Sequence, residues 1–264
     1  MNSLKASCSL FSFLFFSSHS CLLKNKTKNN LKMSTPLVVT IGISGPSCSG
    51  KTTLALLLKK LLSKVIVINQ DEFFKPDDRI PVDEKTGLIN WDSPSAVDFE
   101  SLNRVINKAR EDPYSFLAKS ERPLQNNHHG SDSLSLKDFN ELGSKLDALE
   151  SIIFVIVEGF LLFCDQNVCD NLDNKFFVKA SKQILKMRRE SRKGYVTLQG
   201  YWVDPPGYFD RIVWPQYILW NDHLLHDETR DPTIQVLDTG DAVSKDITNV
   251  AVEFLYHKYN KYNK

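Results

Sequence analysis

The sequence predicts a three-layer α/β sandwich in which a central parallel sheet carries helices on both faces, and three observations lead there. Residues 37–43, 65–68 and 152–157 are short, β-branched apolar runs with no polar alternation, the pattern of strands buried on both faces. Between them lie segments of helical period, notably Leu54, Leu57, Leu58, Leu61 and Leu62, and later Leu102, Val105, Ile106 and Ala109. Finally, the order alternates β with α, which short right-handed crossovers convert into a parallel sheet.

Each element follows in order. The run 37–43 ends in a turn-rich stretch and is followed from Lys51 by an apolar-striped segment without Gly or Pro, so a first strand leads into a first helix. The second strand is 65–68. The second helix is expected to be capped near Ser93 or Ser95. The strongest later apolar run, 152–157, gives a third strand, and 176–178 and 234–237 give shorter ones. One α/β domain over 37–262 accounts for them all. Between 111 and 150 the chain turns polar and shows no dominant period, so a surface insertion is expected, disordered at its centre; His128 and His129 there read as solvated loop residues.

Composition narrows the class of function. The 264 residues are 42% hydrophobic and 25% charged, which excludes a fibrous or wholly disordered chain. Thirty-three Lys+Arg balance 32 Asp+Glu, so no global basic field favours nucleic acid or membrane, and small molecules are the expected partners. Five cysteines fit neither a zinc pair nor a disulfide framework, which suits a reducing compartment. Residues 1–33 stand apart. They contain no acidic residue and no Arg, and their apolar stretch 10–16 is too short to span a bilayer. They read either as a targeting segment or as sequence upstream of a true start at Met33. A cytoplasmic monomer is expected, with nuclear presence or organelle import left open.

The chemistry begins at Gly45-Pro46-Ser47-Cys48-Ser49-Gly50-Lys51-Thr52, which matches G-x-x-x-x-G-K-[ST] in full between a predicted strand and a predicted helix. Such a loop turns backbone N–H groups toward phosphate oxygens at a helix N-terminus. Lys51 is expected to reach the β- and γ-phosphates and the Thr52 hydroxyl a Mg²⁺ ion, while Cys48 reads as an inert small residue. This is a P-loop NTPase signature. No Asn-Lys pair continues to x-Asp, so a guanine-specific switch protein is disfavoured.

Acidic and basic partners follow. Asp71 leaves the second strand at its carboxyl end, where ligands of open α/β sheets bind; successive residues leaving a strand point apart, so only one of Asp71 and Glu72 is expected to face the phosphates, and position favours Asp71. A carboxylate there suits the deprotonation of an acceptor hydroxyl. Glu158, delivered by the third strand, suits support of Mg²⁺, so Thr52, Asp71 and Glu158 form the candidate metal-facing set. Arg188 and Arg192 lie four apart on a basic helix followed by Gly194 and an aromatic, Pro-rich segment, which reads as a lid over about 186–210.

Taken together, these segments resemble the nicotinamide riboside kinases, within the uridine kinase-like group of P-loop kinases, and the fungal members in particular. The resemblance rests on the residues from Gly42 through Thr53, on Gln70-Asp71-Glu72-Phe73-Phe74-Lys75-Pro76, on Asn90-Trp91-Asp92-Ser93-Pro94, on Val157-Glu158-Gly159-Phe160, on Arg188-Arg189-Glu190-Ser191-Arg192-Lys193-Gly194-Tyr195, and on Trp202-Val203-Asp204-Pro205-Pro206-Gly207-Tyr208-Phe209-Asp210. It implies a nucleoside monophosphate kinase-like fold with a lid, and ATP- and Mg²⁺-dependent phosphorylation of the 5′-hydroxyl of nicotinamide riboside and of nicotinic acid riboside. It implies Asp71 as general base, Asp92 on the ribose hydroxyls, Trp91 stacked on the pyridinium ring, Phe74 and Arg189 as further substrate contacts, and Tyr195 as the second stacking face. Thr53 joins the ATP-binding loop, and Arg188 and Arg192 approach ATP. A uridine or cytidine kinase, and a nucleotide-binding regulatory module, remain the alternatives.

Overall fold

The computed structural model describes residues 36–119, 134–192, 194–197, 200–225, 231–240 and 244–262. The extension 1–33, the His128-His129 pair and Lys193 lie outside the described residues. Elements follow in the expected alternation: β1 (Val38–Ser44), α1 (Lys51–Leu61), β2 (Val65–Asn69), α2 (Phe99–Glu111), α3 (Pro113–Leu117), α4 (Leu136–Leu146), β3 (Ile153–Glu158), α5 (Gln166–Asp170), β4 (Asn174–Lys179) and α6 (Lys182–Glu190). A hairpin of β5 (Tyr195–Thr197) and β6 (Gly200–Trp202) follows, then α7 (Trp214–Asn221), β7 (Ile234–Asp238) and α8 (Ser244–Tyr259).

Five strands form a parallel sheet in the order β2-β3-β1-β4-β7. Their side chains alternate between two cores. Val39, Ile41, Ile43, Phe154, Ile156, Phe176 and Val178 pack with Leu54, Leu58, Leu142, Leu146 and Leu255 of α1, α4 and α8. Ile66, Ile68, Ile153, Val155, Val157 and Phe177 pack on the other face with Leu102, Ile106, Val168 and Tyr217 of α2, α5 and α7. Strands clothed on both sides have no polar face, which is why their sequences run continuously apolar. The register pairs Ile43 and Asn69 with Glu158, so the carboxyl ends of β1, β2 and β3 meet at one edge. No described helix is long and apolar enough to cross a membrane.

Two expectations are corrected. Helix α2 is capped by Asp98, whose carboxylate accepts from the Ser101 N–H at 3.0 Å; Ser93 instead caps a single 3-10 turn over Pro94–Ala96. An acidic Asx cap serves a helix N-terminus as well as Ser does, so the sequence offered several candidates along one short stretch. The polar region 111–150 is not merely surface. Its second half forms α4, which Ser135 caps and whose Leu142 and Leu146 are buried in the main core. Leu136, Phe139, Leu142 and Leu146 recur at helical spacing, but Gly143 and four charged residues mask the stripe in sequence.

Candidate active site

The phosphate loop is built by close backbone approach. Gly45 has φ +140°, and a Cβ there would stand 2.0 Å from the Val178 carbonyl oxygen, so only glycine lets β1 turn beside β4. Cys48 takes φ 66° within the loop, a left-handed conformation uncommon for a side-chain-bearing residue. The loop is pinned from outside. The Thr239 hydroxyl, just beyond β7, lies 2.9 Å from the Ser49 carbonyl and 3.0 Å from that of Lys179, while Arg188 Nη1 reaches the Cys48 carbonyl at 3.4 Å. Helix α1 then starts at Lys51, so its free N–H groups face the loop.

Lys51 is buried and donates to the Pro46 carbonyl at 2.8 Å. Burial holds its ammonium below the ordinary lysine range, against the pull of Glu158 and Asp71. Glu158 is also buried; both its oxygens accept from the Thr52 hydroxyl, at 3.0 and 2.9 Å. Burial pushes its carboxyl up to about 7, opposed by Lys51 and reinforced by Asp71. Thr53 follows on the first turn of α1.

Asp71 and Glu72 do not lie on strand β2. They occupy a 3-10 turn, Gln70–Phe73, which Asn69 caps by accepting the Asp71 N–H at 3.0 Å. Strand alternation therefore does not decide between them; they differ in the charges that surround them. The carboxylate of Asp71 is accessible yet enclosed by the cleft, which raises it above the usual range, while Lys51, Arg192 and Arg189 pull it down. Glu72 feels burial and Asp71 alone. Gln70 anchors the turn: its Oε1 accepts the Leu161 N–H at 3.0 Å, and a Cβ on Gly159 would meet its side chain at 2.5 Å.

Across the cleft stands an aromatic cluster. Trp91 meets Phe74 at 5.2 Å and Trp202 at 5.9 Å, both steeply inclined, and Phe74 continues to Phe160 at 5.8 Å. The Trp91 indole N–H is buried without a hydrogen-bond partner among the described residues. Its backbone N–H donates to the Tyr208 hydroxyl, which itself donates to the Ile89 carbonyl at 2.8 Å. Asp92 is buried, and burial raises its carboxyl above the ordinary range while Arg189 opposes. Arg189 is buried too; burial disfavours its charge, but Asp92 and Asp204 more than offset this and keep it ionised. Asp204 grips it in a fork, Nε at 2.6 Å and Nη2 at 3.0 Å. Tyr195 lies against the guanidinium groups of Arg189 and Arg192, 5.0 and 5.4 Å from its ring, with its hydroxyl 4.0 Å from Cys48 Sγ.

Every expected site residue thus has its place at the carboxyl edge of the sheet or on the segments facing it. The sequence motifs point to no role for Gln70, Thr239, Trp202, Asp204 or Tyr208. Thr239 carried a usable signal, a hydroxyl just past a strand's carboxyl end; Asp204 and Tyr208 need the tertiary fold, since their partners are 15 and 117 or more residues away.

A phosphate loop at the tip of β1, an acidic residue at the tip of β3, a carboxylate turn after β2 and the basic helix α6 define the class: a P-loop kinase. Residues 40–195 match the model of the phosphoribulokinase / uridine kinase family. The chain is 36% identical over 192 residues to the nicotinamide riboside kinase of Saccharomyces cerevisiae, covering 70% of this chain and 78% of that one. It is 32% identical to that of Eremothecium gossypii, covering 76% and 85%, and 34% identical to nicotinamide riboside kinase 2 of Mus musculus, covering 67% and 76%. The chain belongs to the phosphoribulokinase / uridine kinase family and, within it, to the nicotinamide riboside kinases.

Proposed function

We propose that this protein transfers the γ-phosphoryl of ATP to the 5′-hydroxyl of nicotinamide riboside, giving nicotinamide mononucleotide. The observation that carries the reading is the juxtaposition of Asp71, electrostatically linked to Lys51 of the phosphate loop, with the Trp91–Asp92–Arg189 group across the cleft. A cationic heteroaromatic ring is attracted by the face of an indole, and a carboxylate and guanidinium suit ribose hydroxyls.

Loop residues 45–53 cradle the phosphates with backbone N–H groups, and Lys51 turns from the Pro46 carbonyl to the β- and γ-phosphates. Asp71 orients the 5′-hydroxyl and takes its proton as the phosphoryl moves; a carboxyl held above its ordinary range is a better base for that step. Arg188 and Arg192 bring positive charge to the migrating group from the lid. The donor set around Thr52 fits Mg²⁺: a hydroxyl and the Glu158 carboxylate, with Asp71 close enough to act on both charges electrostatically. When bound, that ion neutralises phosphate charge.

ADP release from the full chain with ATP and Mg²⁺ tests this, with nicotinamide riboside, nicotinic acid riboside, uridine, cytidine or no acceptor in parallel. Turnover confined to the pyridine ribosides is expected. Turnover with the pyrimidine ribosides alone overturns the substrate, and ATP binding without acceptor-dependent ADP overturns the reaction.

A further inference from the structure

We infer that Trp202, on the lid hairpin, is a specificity-determining residue that closes the pocket for the positively charged ring opposite Trp91, whereas Tyr195 serves the phosphate side of the cleft. The inference rests on the functional reading above and allocates its two lid aromatics.

Strands β5 and β6 pair antiparallel with Tyr195 directly opposite Trp202, so their rings project side by side from one face of the hairpin. They reach different neighbours. Tyr195 has guanidinium groups of Arg189 and Arg192 against its ring and its hydroxyl near Cys48 of the phosphate loop. Trp202 lies 5.9 Å from Trp91 and 5.7 Å from Tyr208, in the aromatic cluster. A ring already faced by two cations is a poor surface for a third, whereas an indole bordered by two aromatic rings and the Asp204 carboxylate attracts one.

The orientation of Trp202 is fixed. Its indole N–H donates to Asp204 Oδ1 at 2.9 Å, the same oxygen that accepts from Arg189 Nη2 at 3.0 Å. One carboxylate therefore ties the ring wall to the guanidinium beside Asp92, so a ring seated against Trp202 also settles Arg189.

Steady-state kinetics with a binding readout tests the allocation. Trp202→Ala is expected to raise KM for nicotinamide riboside about tenfold, with kcat and KM for ATP within about twofold of the parent, and Trp202→Phe to restore KM to within about threefold. Excited indole is quenched by contact with a pyridinium ring, so Trp91→Phe should still lose fluorescence on titration with nicotinamide riboside, and Trp91→Phe/Trp202→Phe should not. The allocation is overturned if Trp202→Ala leaves the riboside KM unchanged, if it raises the ATP KM equally, or if the double variant is still quenched. Should the parent act on uridine alone, the functional reading fails separately; the same KM comparison with uridine then judges the wall.

Discussion

At the residue scale, the active-site carboxylates are shaped by opposed effects whose balance sets their titration. Asp71 is raised by its enclosure and lowered by three cations, and it alone of the 71–72 pair responds to Lys51. Asp71→Asn should lower kcat at least a hundredfold and leave KM for ATP nearly unchanged, since the lost group is the base proposed for the acceptor proton. Steady-state ADP release measures it. Burial pushes the Glu158 carboxyl from an ordinary 4.5 up to about 7, so the folded protein holds its proton more tightly than the unfolded chain. Its contribution to stability is therefore complete below about pH 4.5 and lost as pH rises through about 7. In metal-free protein, the decline in Tm between about pH 5 and 8 should be shallower in Glu158→Gln than in the parent. A parallel decline in the two proteins would contradict the assignment of that proton.

At the element scale, the sheet edge and its flanking helices decide which side chains meet. Leu146 brings α4 into the core shared with α1 and α8, beside Leu142 and Leu149. A surface excursion would tolerate truncation there, but a core layer does not. Leu146→Ala should cost about 2–5 kcal/mol, visible as a lower midpoint in urea at unchanged slope. The hairpin β5–β6 has the opposite character, two three-residue strands whose hold on the body comes from Asp204, Trp202 and Tyr208. A separate ion-pair group, Lys182 and Lys186 with Asp210, fastens α6 to the turn before α7. These pairs are about two-fifths exposed, so they contribute little to stability.

At the scale of the whole molecule, the residues proposed for nucleotide and acceptor face one cleft at the carboxyl edge of the sheet, so ligand binding is linked to folding. ATP with Mg²⁺ at about 100 times its Kd should stabilise the protein by about 2.7 kcal/mol, and Lys51→Met should abolish that gain. The same variant should leave the ligand-free protein no less stable, because a buried ammonium held below its ordinary range is replaced by an apolar chain of similar length. Thermal shift with and without nucleotide separates the two effects.

Local chemistry sufficed for much of this. The sheet strands announce themselves because burial on both faces leaves a continuous apolar run, and the phosphate loop because its glycines, lysine and threonine are consecutive. Asp71 and Glu158 stand out as candidates because strand ends in such a sheet are the places where ligands bind. The stripe of α4 was obscured by its charged residues, and its burial became evident only once α1 and α8 stood beside it. Asp71 and Glu72 leave β2 on a 3-10 turn rather than as extended strand, and that turn is held by Asn69 and by Gln70 packed against Gly159, contacts that the local sequence does not display. The Asp204 fork on Arg189 and the side-by-side placement of Tyr195 and Trp202 depend on a hairpin folding back over the cleft. Motifs and periods are short-range properties that a chain displays in one dimension, whereas charge balance and ring contacts arise between residues brought together only by the packed fold.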